Sequence, residues 1–587
     1  MKGSNKLFTF HHFLLSLLFL ISCLFLFSGY QIFNQQKILF PIVSLCLSTG
    51  IFFLLHSKLK FSKWILILCL LLTSFLVFGE WIYWYGDIGY IFLSWPNICL
   101  FLVSFFSYGM LIYFLLFQVF YFLEKYQNTI NKNSICNFIF NKHPFLFAFL
   151  FILICAIPYI LAFYPGTVHW DGFRQLDYYY GLVSWSNRHP AFSTFLMGSI
   201  INFGKNLINF NFGLFLYTFL QFLFSCFVFA KVIVLLKKMN APLFLRIFSL
   251  LFFALFPLWP INAYTLVKDT SYYLIFVLFF ITLLDFHIDI EVRKKKRTYL
   301  LLFFLGLLLT LLRNNGILVV ILSYLGFAIF YSKKKFGILI IAIIACNSIQ
   351  NTVILPLFNI SQSNIREALS IPIQQTGRYI KYYQNEITEE NKETLTKIFN
   401  TDLESIADDY NPELSDPIKF QFQSKYLSEF LKVWLENFFH HPKVYIDAVL
   451  ENYYGYFYPN TKEEKDGLGC YEITQSKKLK SEEFDFSMIE NLKPIRDRLE
   501  QLAYSIRSIP LLGMLYSCGF YTWTIFIGTF YLIYKKRKED LILTIPLFTT
   551  IFICIISPVN AYIRYMLPVM VTAPLFVAYL FYKQKEK

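Results

Sequence analysis

Residues 145–164 read FLFAFLFILICAIPYILAFY, and residues 165–171 directly after them read PGTVHWD. An uncharged apolar run of this length is enough to cross the roughly 30 Å hydrocarbon core of a membrane as one helix. The Pro165-Gly166 pair ends that helix, because proline cannot donate to the ladder and glycine favours a turn. Beyond the turn the chain is polar and aromatic: His169, Trp170 and Asp171, then Asp177 and His189-Pro190. Ionisable groups at a membrane edge are costly to place, so by default they mark a working site.

Working outward from this segment, apolar runs recur at 13–30, 38–55, 64–84, 98–123, 214–236, 247–260, 269–286, 299–312, 317–331, 336–357, 511–534, 541–556 and 565–582. By length these predict about fourteen transmembrane helices. The stretch 299–331 reads either as two short spans around Arg313-Asn314-Asn315-Gly316 or as one long tilted helix. Composition points the same way: 57% of the 587 residues are hydrophobic and 15% charged, with a mean hydropathy of +0.53. A soluble domain so composed would expose large apolar patches. The expected fold class is an all-α polytopic membrane protein.

The net charge of +15 is not spread as a nucleic-acid-binding face. The basic residues form short clusters between apolar runs: Lys58/Lys60/Lys63, Lys237/Lys238, 293–297, 333–335 and 535–538. With Lys2 and Lys6 placed inside, all of these clusters, and Lys583/Lys585/Lys587, fall on the cytoplasmic side. The expected localisation is a bacterial cytoplasmic membrane, multi-pass, with both termini cytoplasmic; the Phe, Ile, Lys and Asn content is that of an AT-rich bacterial genome. Residues 1–23 resemble a signal peptide, but the apolar run continues past Cys23, which favours an uncleaved first span. The 11 cysteines show no disulfide or zinc spacing.

This topology divides the chain into a four-helix module (1–143), a transmembrane core with an outer loop at 165–212 (144–358), a mostly helical extracytoplasmic domain (359–510) and three closing spans (511–587). It also gathers the unusual polar groups on the outer side. Asp171, partly desolvated beside Trp170, is suited to act as a general base on a sugar hydroxyl; a helix-capping carboxylate is the competing reading. Asp177 lies nearly two helical turns further on and is a weaker candidate. His169 and His189 could join Asp171 around a divalent metal, although no tight ligand spacing designates one. Lys268, Arg313 and Arg564 each end a different span on the side where cations are scarce. Snorkelling explains any single one; three together suit a phosphate, which arginine binds with a two-pronged fork. In the outer domain Gln374, Gln375 and Arg378 could meet a headgroup or sugar hydroxyls, or simply pack a helix onto the membrane domain.

Tyr164-Pro165-Gly166 leading to Asp171 and Gln175, His189-Pro190, Lys268-Asp269, Arg313-Asn314-Asn315-Gly316, Ile371-Pro372-Ile373-Gln374-Gln375 and Arg564-Tyr565-Met566-Leu567-Pro568 resemble a family of bacterial multipass proteins of uncharacterised function. Its organisation is similar to the GT-C superfamily of membrane glycosyltransferases. The resemblance covers the chain from about residue 145 onward. It implies a GT-C-like fold, a catalytic acidic residue at Asp171, a polyprenyl-phosphate-linked sugar donor and, by membrane face and helix ends, phosphate contacts from Lys268, Arg313 and Arg564. Gln175 and Arg378 join these as candidate substrate contacts, with His169, Asp177, His189 and Asn314 behind them. The Asp-x-Asp pair of some GT-C members is absent, since the loop reads His169-Trp170-Asp171. The expected function is sugar transfer to an envelope glycan or lipid at the outer face. A flippase for lipid-linked glycans and a non-catalytic envelope assembly protein are the rivals.

Overall fold

The computed structural model describes residues 62–126, 138–460, 468–474 and 484–582, with scattered positions between 17 and 51. The expected spans 13–30 and 38–55 and the basic termini therefore lie largely or wholly outside the described residues. Among the described residues the only strands form one two-stranded pairing, accompanied by a few isolated bridges, and most of the rest is helical.

The first helices are α1 (Lys63–Tyr85), α2 (Trp95–Lys125) and α3 (Pro144–Ala162), each predominantly apolar. After α3 come strand β1 (Thr167–Val168), the short helix α4 (Trp170–Tyr179) and α5 (Ala191–Leu207). Helix α6 (Phe210–Lys238) is followed by α7 (Leu243–Leu255) and strand β2 (Thr265–Leu266), which leads into α8 (Lys268–Ile288). Helices α9 (Lys296–Leu312) and α10 (Gly316–Phe330) form a hairpin, and α11 runs over Lys333–Leu357.

Seven described helices are long and apolar enough to cross a membrane: α1, α2, α3, α6, α8, α11 and the last helix, Ile563–Leu580. The chain is thus an all-α membrane protein. Other expected spans emerge shorter, for local reasons. The run 247–260 breaks at Phe256, whose extended backbone precedes Pro257, the conformation favoured before a proline. The run 511–534 begins as a turn with Leu511 at φ 66° and becomes helical only at Cys518. The stretch 299–331 is two helices, turned at Arg313–Asn315; Gly316 allows that turn because a Cβ there would sit 2.2 Å from the Leu309 carbonyl.

Helix α8 is the centre of the bundle, packed against α6, α9 and the last helix. By contrast α11 lies at the edge, with 22% of its apolar window buried against 83% for Ile563–Leu580. At one end of the bundle sits a polar domain whose helices α12 (Ser370–Tyr383), α13 (Leu427–His440) and α14 (Pro442–Tyr453) enclose a separate core around Ile373, Ile380, Ile398, Ile406 and Phe430. Helix α15 (Lys493–Ser508), expected within that domain, packs on α3 instead. The chain closes with α16 (Cys518–Tyr534), α17 (Ile545–Ile555) and α18 (Ile563–Leu580).

Candidate functional site

The two-residue strands decide where the site forms. Thr167 pairs with Thr265 and Val168 with Leu266 in parallel register, and the two threonine hydroxyls lie 2.7 Å apart. Each strand runs, through a single linking residue (His169 or Val267), into a helix whose second residue is an aspartate: Asp171 in α4 and Asp269 in α8. Carboxylates are favoured there because the helix dipole and free N–H groups face them. Helix α6 props both strands from below. Thr218 donates to the Pro165 carbonyl (2.9 Å), and Gln221 donates to the carbonyls of Ala263 and Thr265 (3.0 and 2.9 Å). Gly172 permits the close approach, since a Cβ would meet the Leu266 carbonyl at 2.4 Å.

The parallel register brings five charges together. Lys268 Nζ donates to Asp171 Oδ2 at 2.7 Å, and Arg564 NH2 lies 3.0 Å from the same oxygen. Asp269 is 2% exposed and faces Arg564 (3.4 Å), Arg313 (3.7 Å) and Lys268 (3.9 Å). These separations exceed good hydrogen bonds, and neither Asp269 oxygen has a hydrogen-bond partner among the described residues. Arg313 also lies over the Tyr565 ring at 4.7 Å, and Arg564 over Tyr562 at 4.9 Å. Three cations on two carboxylates leave a net charge of +1, so the group has positive charge to spare for an anion.

Two histidines complete the cluster as neutral bases. His169 caps α4, its Nδ1 accepting from Asp171 N–H (3.4 Å) and from Arg564 (2.8 Å). This leaves the proton on Nε2, which faces the Tyr562 hydroxyl at 3.3 Å. His189 Nδ1 accepts from Lys268 Nζ at 3.2 Å. Burial, with Arg564 beside one and Lys268 beside the other, brings each imidazole down to about 3. For Asp171 burial pushes upward, but Lys268 and Arg564 outweigh it and hold the carboxyl well below the usual carboxylate range. At neutral pH the cluster therefore holds Asp171 ionised and both histidines uncharged.

The cluster forms the floor of a cavity of about 870 Å³ between the bundle and the polar domain. Higher up, Glu367 meets Arg188 (3.2 Å) and Lys419 (2.9 Å), and Lys419 also meets Asp416. The wall is rich in amides, among them Asn187, Asn314, Asn347, Gln350, Asn351 and Asn560. Five cations and five carboxylates balance over the whole cavity, and the positive excess is confined to its floor. Among the described residues no three His, Cys, Asp or Glu side chains converge where they could hold a metal ion.

Residues 183–587 match a family described as a family of unknown function, DUF6020. The chain belongs to that family. No curated protein and no solved structure matches it. The family segment contains Lys268, Asp269, Arg313 and Arg564 and begins after Asp171.

Of the residues singled out in the sequence, Asp171, His169, His189, Lys268, Arg313, Asn314 and Arg564 line the cavity. Asn314 donates to the Asn187 carbonyl at 2.9 Å and so fixes the loop before His189. Three others are corrected. Gln175 is fully buried and donates to Ser193 (2.8 Å) and Thr194 (3.0 Å), binding α4 to α5 rather than a substrate. Asp177 is likewise buried, further along α4 and 3.5 Å from Arg174, and does not line the cavity. Arg378 turns into the polar domain, paired closely with Glu451 and 3.9 Å from Asp447; its charge is consumed in holding α12 to α14. Sequence reasoning gave no role to Asp269, Tyr562 or Tyr565, although Lys268-Asp269 and Arg564-Tyr565 stand in the quoted motifs. A signal for Asp269 was present: Thr167-Val168-His169-Trp170-Asp171 and Thr265-Leu266-Val267-Lys268-Asp269 share a Thr-apolar-x-x-Asp pattern.

Proposed function

We propose that the protein is a membrane glycosyltransferase that takes a sugar from a polyprenyl-phosphate-linked donor and passes it to an envelope glycan or lipid on the extracytoplasmic face. The observation that carries this reading is the net-positive floor: Lys268, Arg313 and Arg564 gathered around Asp171 and Asp269 beneath a polar cavity, at the ends of membrane-spanning helices. An arriving phosphate competes with Asp171 for Lys268 and Arg564. Losing those partners raises the proton affinity of Asp171, so the base becomes effective only when the donor is in place. The acceptor hydroxyl then gives its proton to Asp171 while its oxygen bonds to the anomeric carbon. The bond from that carbon to the phosphate oxygen breaks, and its electron pair leaves with the phosphate, where fixed cations stabilise the charge.

This reading includes a GT-C-like architecture of about fourteen spans with both termini cytoplasmic in a bacterial cytoplasmic membrane. It puts the polar domain outside, where it helps to hold the acceptor. One observation favours a flippase for lipid-linked glycans instead: the edge helix α11 carries Asn347, Gln350 and Asn351 and is interrupted by a π-helical turn at Gln350–Ile354, a feature suited to a moving path. Both readings are tested by offering the purified protein a polyprenyl-phosphate hexose and membrane acceptors. A new glycosidic bond that is lost in folded Asp171→Asn is the expected result. Undiminished transfer in that variant removes Asp171 as base, and movement of the lipid between leaflets without a new bond establishes the flippase.

A further inference from the structure

Helix α11 is the least buried of the seven spans, yet its second half carries three amides. Asn347, Gln350 and Asn351 are spaced i, i+3, i+4, which places them on one face, and all three line the cavity. The neighbouring Ile344, Ile349 and Val353 are exposed, as expected of a face turned to lipid. Amides are expensive in an otherwise apolar membrane helix unless something uses them.

Two further features point to a ligand. Gln350 is 7% exposed, and its Oε1 has no hydrogen-bond partner among the described residues. A buried acceptor left unsatisfied costs stability. Gln350 also begins the π-helical turn Gln350–Ile354, and single π turns within helices concentrate at functional sites. An amide offers one acceptor and two donors without formal charge, which matches hydroxyl groups, each both donor and acceptor. The spare cations lie on the cavity floor, so a phosphate goes there and leaves the amide wall to a neutral group.

We propose that the Asn347–Gln350–Asn351 face is a carbohydrate-hydroxyl subsite, recognising the sugar of a lipid-borne donor whose phosphate rests on Lys268, Arg313 and Arg564. The assignment of the phosphate rests on the function proposed above; recognition of hydroxyls by the amides does not.

The test uses the full chain in nanodiscs and three probes: a polyprenyl-phosphate hexose, the same polyprenyl phosphate without sugar, and a short alkyl hexoside without phosphate. The variants are Gln350→Met, of similar size, and Asn351→Leu. Loss of one good hydrogen bond should weaken both sugar-bearing probes roughly tenfold and leave bare polyprenyl phosphate unaffected. The melting temperature of unliganded Gln350→Met should hold or rise, because an unsatisfied acceptor has been removed. Equal weakening of all three probes, no weakening of the sugar-bearing ones, failure of both to bind the natural protein, or a clear fall in melting temperature overturns the subsite. Failure of the phosphate reading looks different: bare polyprenyl phosphate does not bind, while alkyl hexoside binding still depends on Gln350.

Discussion

The two ends of helix α8 both carry buried ionisable groups, and they differ in what those groups have left to do. At the far end His287 contacts Asp540 (2.8 Å), the Tyr579 hydroxyl (2.9 Å) and the Tyr331 hydroxyl (2.5 Å), and Arg537 pairs with Asp540. His287 thus has a partner at each ring nitrogen and no member of the group lines the cavity, so this end is closed to a ligand, although Arg537 NH2 lacks a hydrogen bond among the described residues. At the near end Lys268 and Asp269 meet Asp171, Arg313 and Arg564 under an open cavity, with both Asp269 oxygens lacking a hydrogen bond and Asp171 23% exposed. Buried charge alone does not mark function, since structural ion pairs are common. Unfinished hydrogen bonding beside open space does.

The comparison breaks first at the closed end. Asp540→Ala strands Arg537 and His287 and should cost about 3–5 kcal/mol of stability, seen as a large drop in the melting temperature of the detergent-solubilised protein, with transfer per folded molecule unchanged. A loss of transfer without a loss of stability would mean that the two ends are not separate in role. At the open end, on the proposed function, Lys268→Met should lower the rate of sugar transfer by roughly 10²–10³-fold, the usual loss when one charge-stabilising group is removed. Fold retention is checked by the melting curve.

A third expectation concerns pH. The folded pKa of His189 is pushed down to about 3 by burial and Lys268, against about 6.5 in the unfolded chain. The unfolded state therefore takes up a proton that the folded state refuses, and stability falls as pH drops below about 6.5. The loss reaches on the order of 2 kcal/mol by pH 5. Melting curves of His189→Gln should show a shallower acid slope; an equal slope would remove the histidine as its source. The smallest effect is expected from Asp269→Asn, which raises the net charge of the floor to +2. Bare polyprenyl phosphate should bind severalfold more tightly, measured by titration in nanodiscs, and weaker binding would mean that Asp269 positions the cations rather than offsetting them.

Much of this architecture was legible in the sequence because a membrane helix is announced by the length of a single apolar run. The helices α1, α2, α3, α6, α8 and α18 fall where those runs lie. Legibility failed where the outcome depended on a neighbour. Gln175 and Asp177 share a short polar segment with Asp171, but the turns of α4 beyond Asp171 are buried against neighbouring elements, and sequence proximity does not say how far along the helix the cavity reaches. Arg378 looked available until Glu451, 73 positions later, came to lie against it. Asp269 stood beside Lys268 at the edge of an apolar run, and its role emerged only when the strand pairing set it next to Asp171.

The amino-acid sequence by itself determined that this chain enters a membrane, where most of its helices lie and which few polar segments interrupt them. Those are local properties, set by apolar length and by proline and glycine at the breaks. Tertiary structure alone decided which charges meet. Lys268 lies 97 positions from Asp171, and Arg564 lies 395 from His169. Their encounter depends on a two-residue strand register and on the packing of α6, α8 and α18. Electrostatic energy depends on distance through space, and separation along the chain carries no record of it.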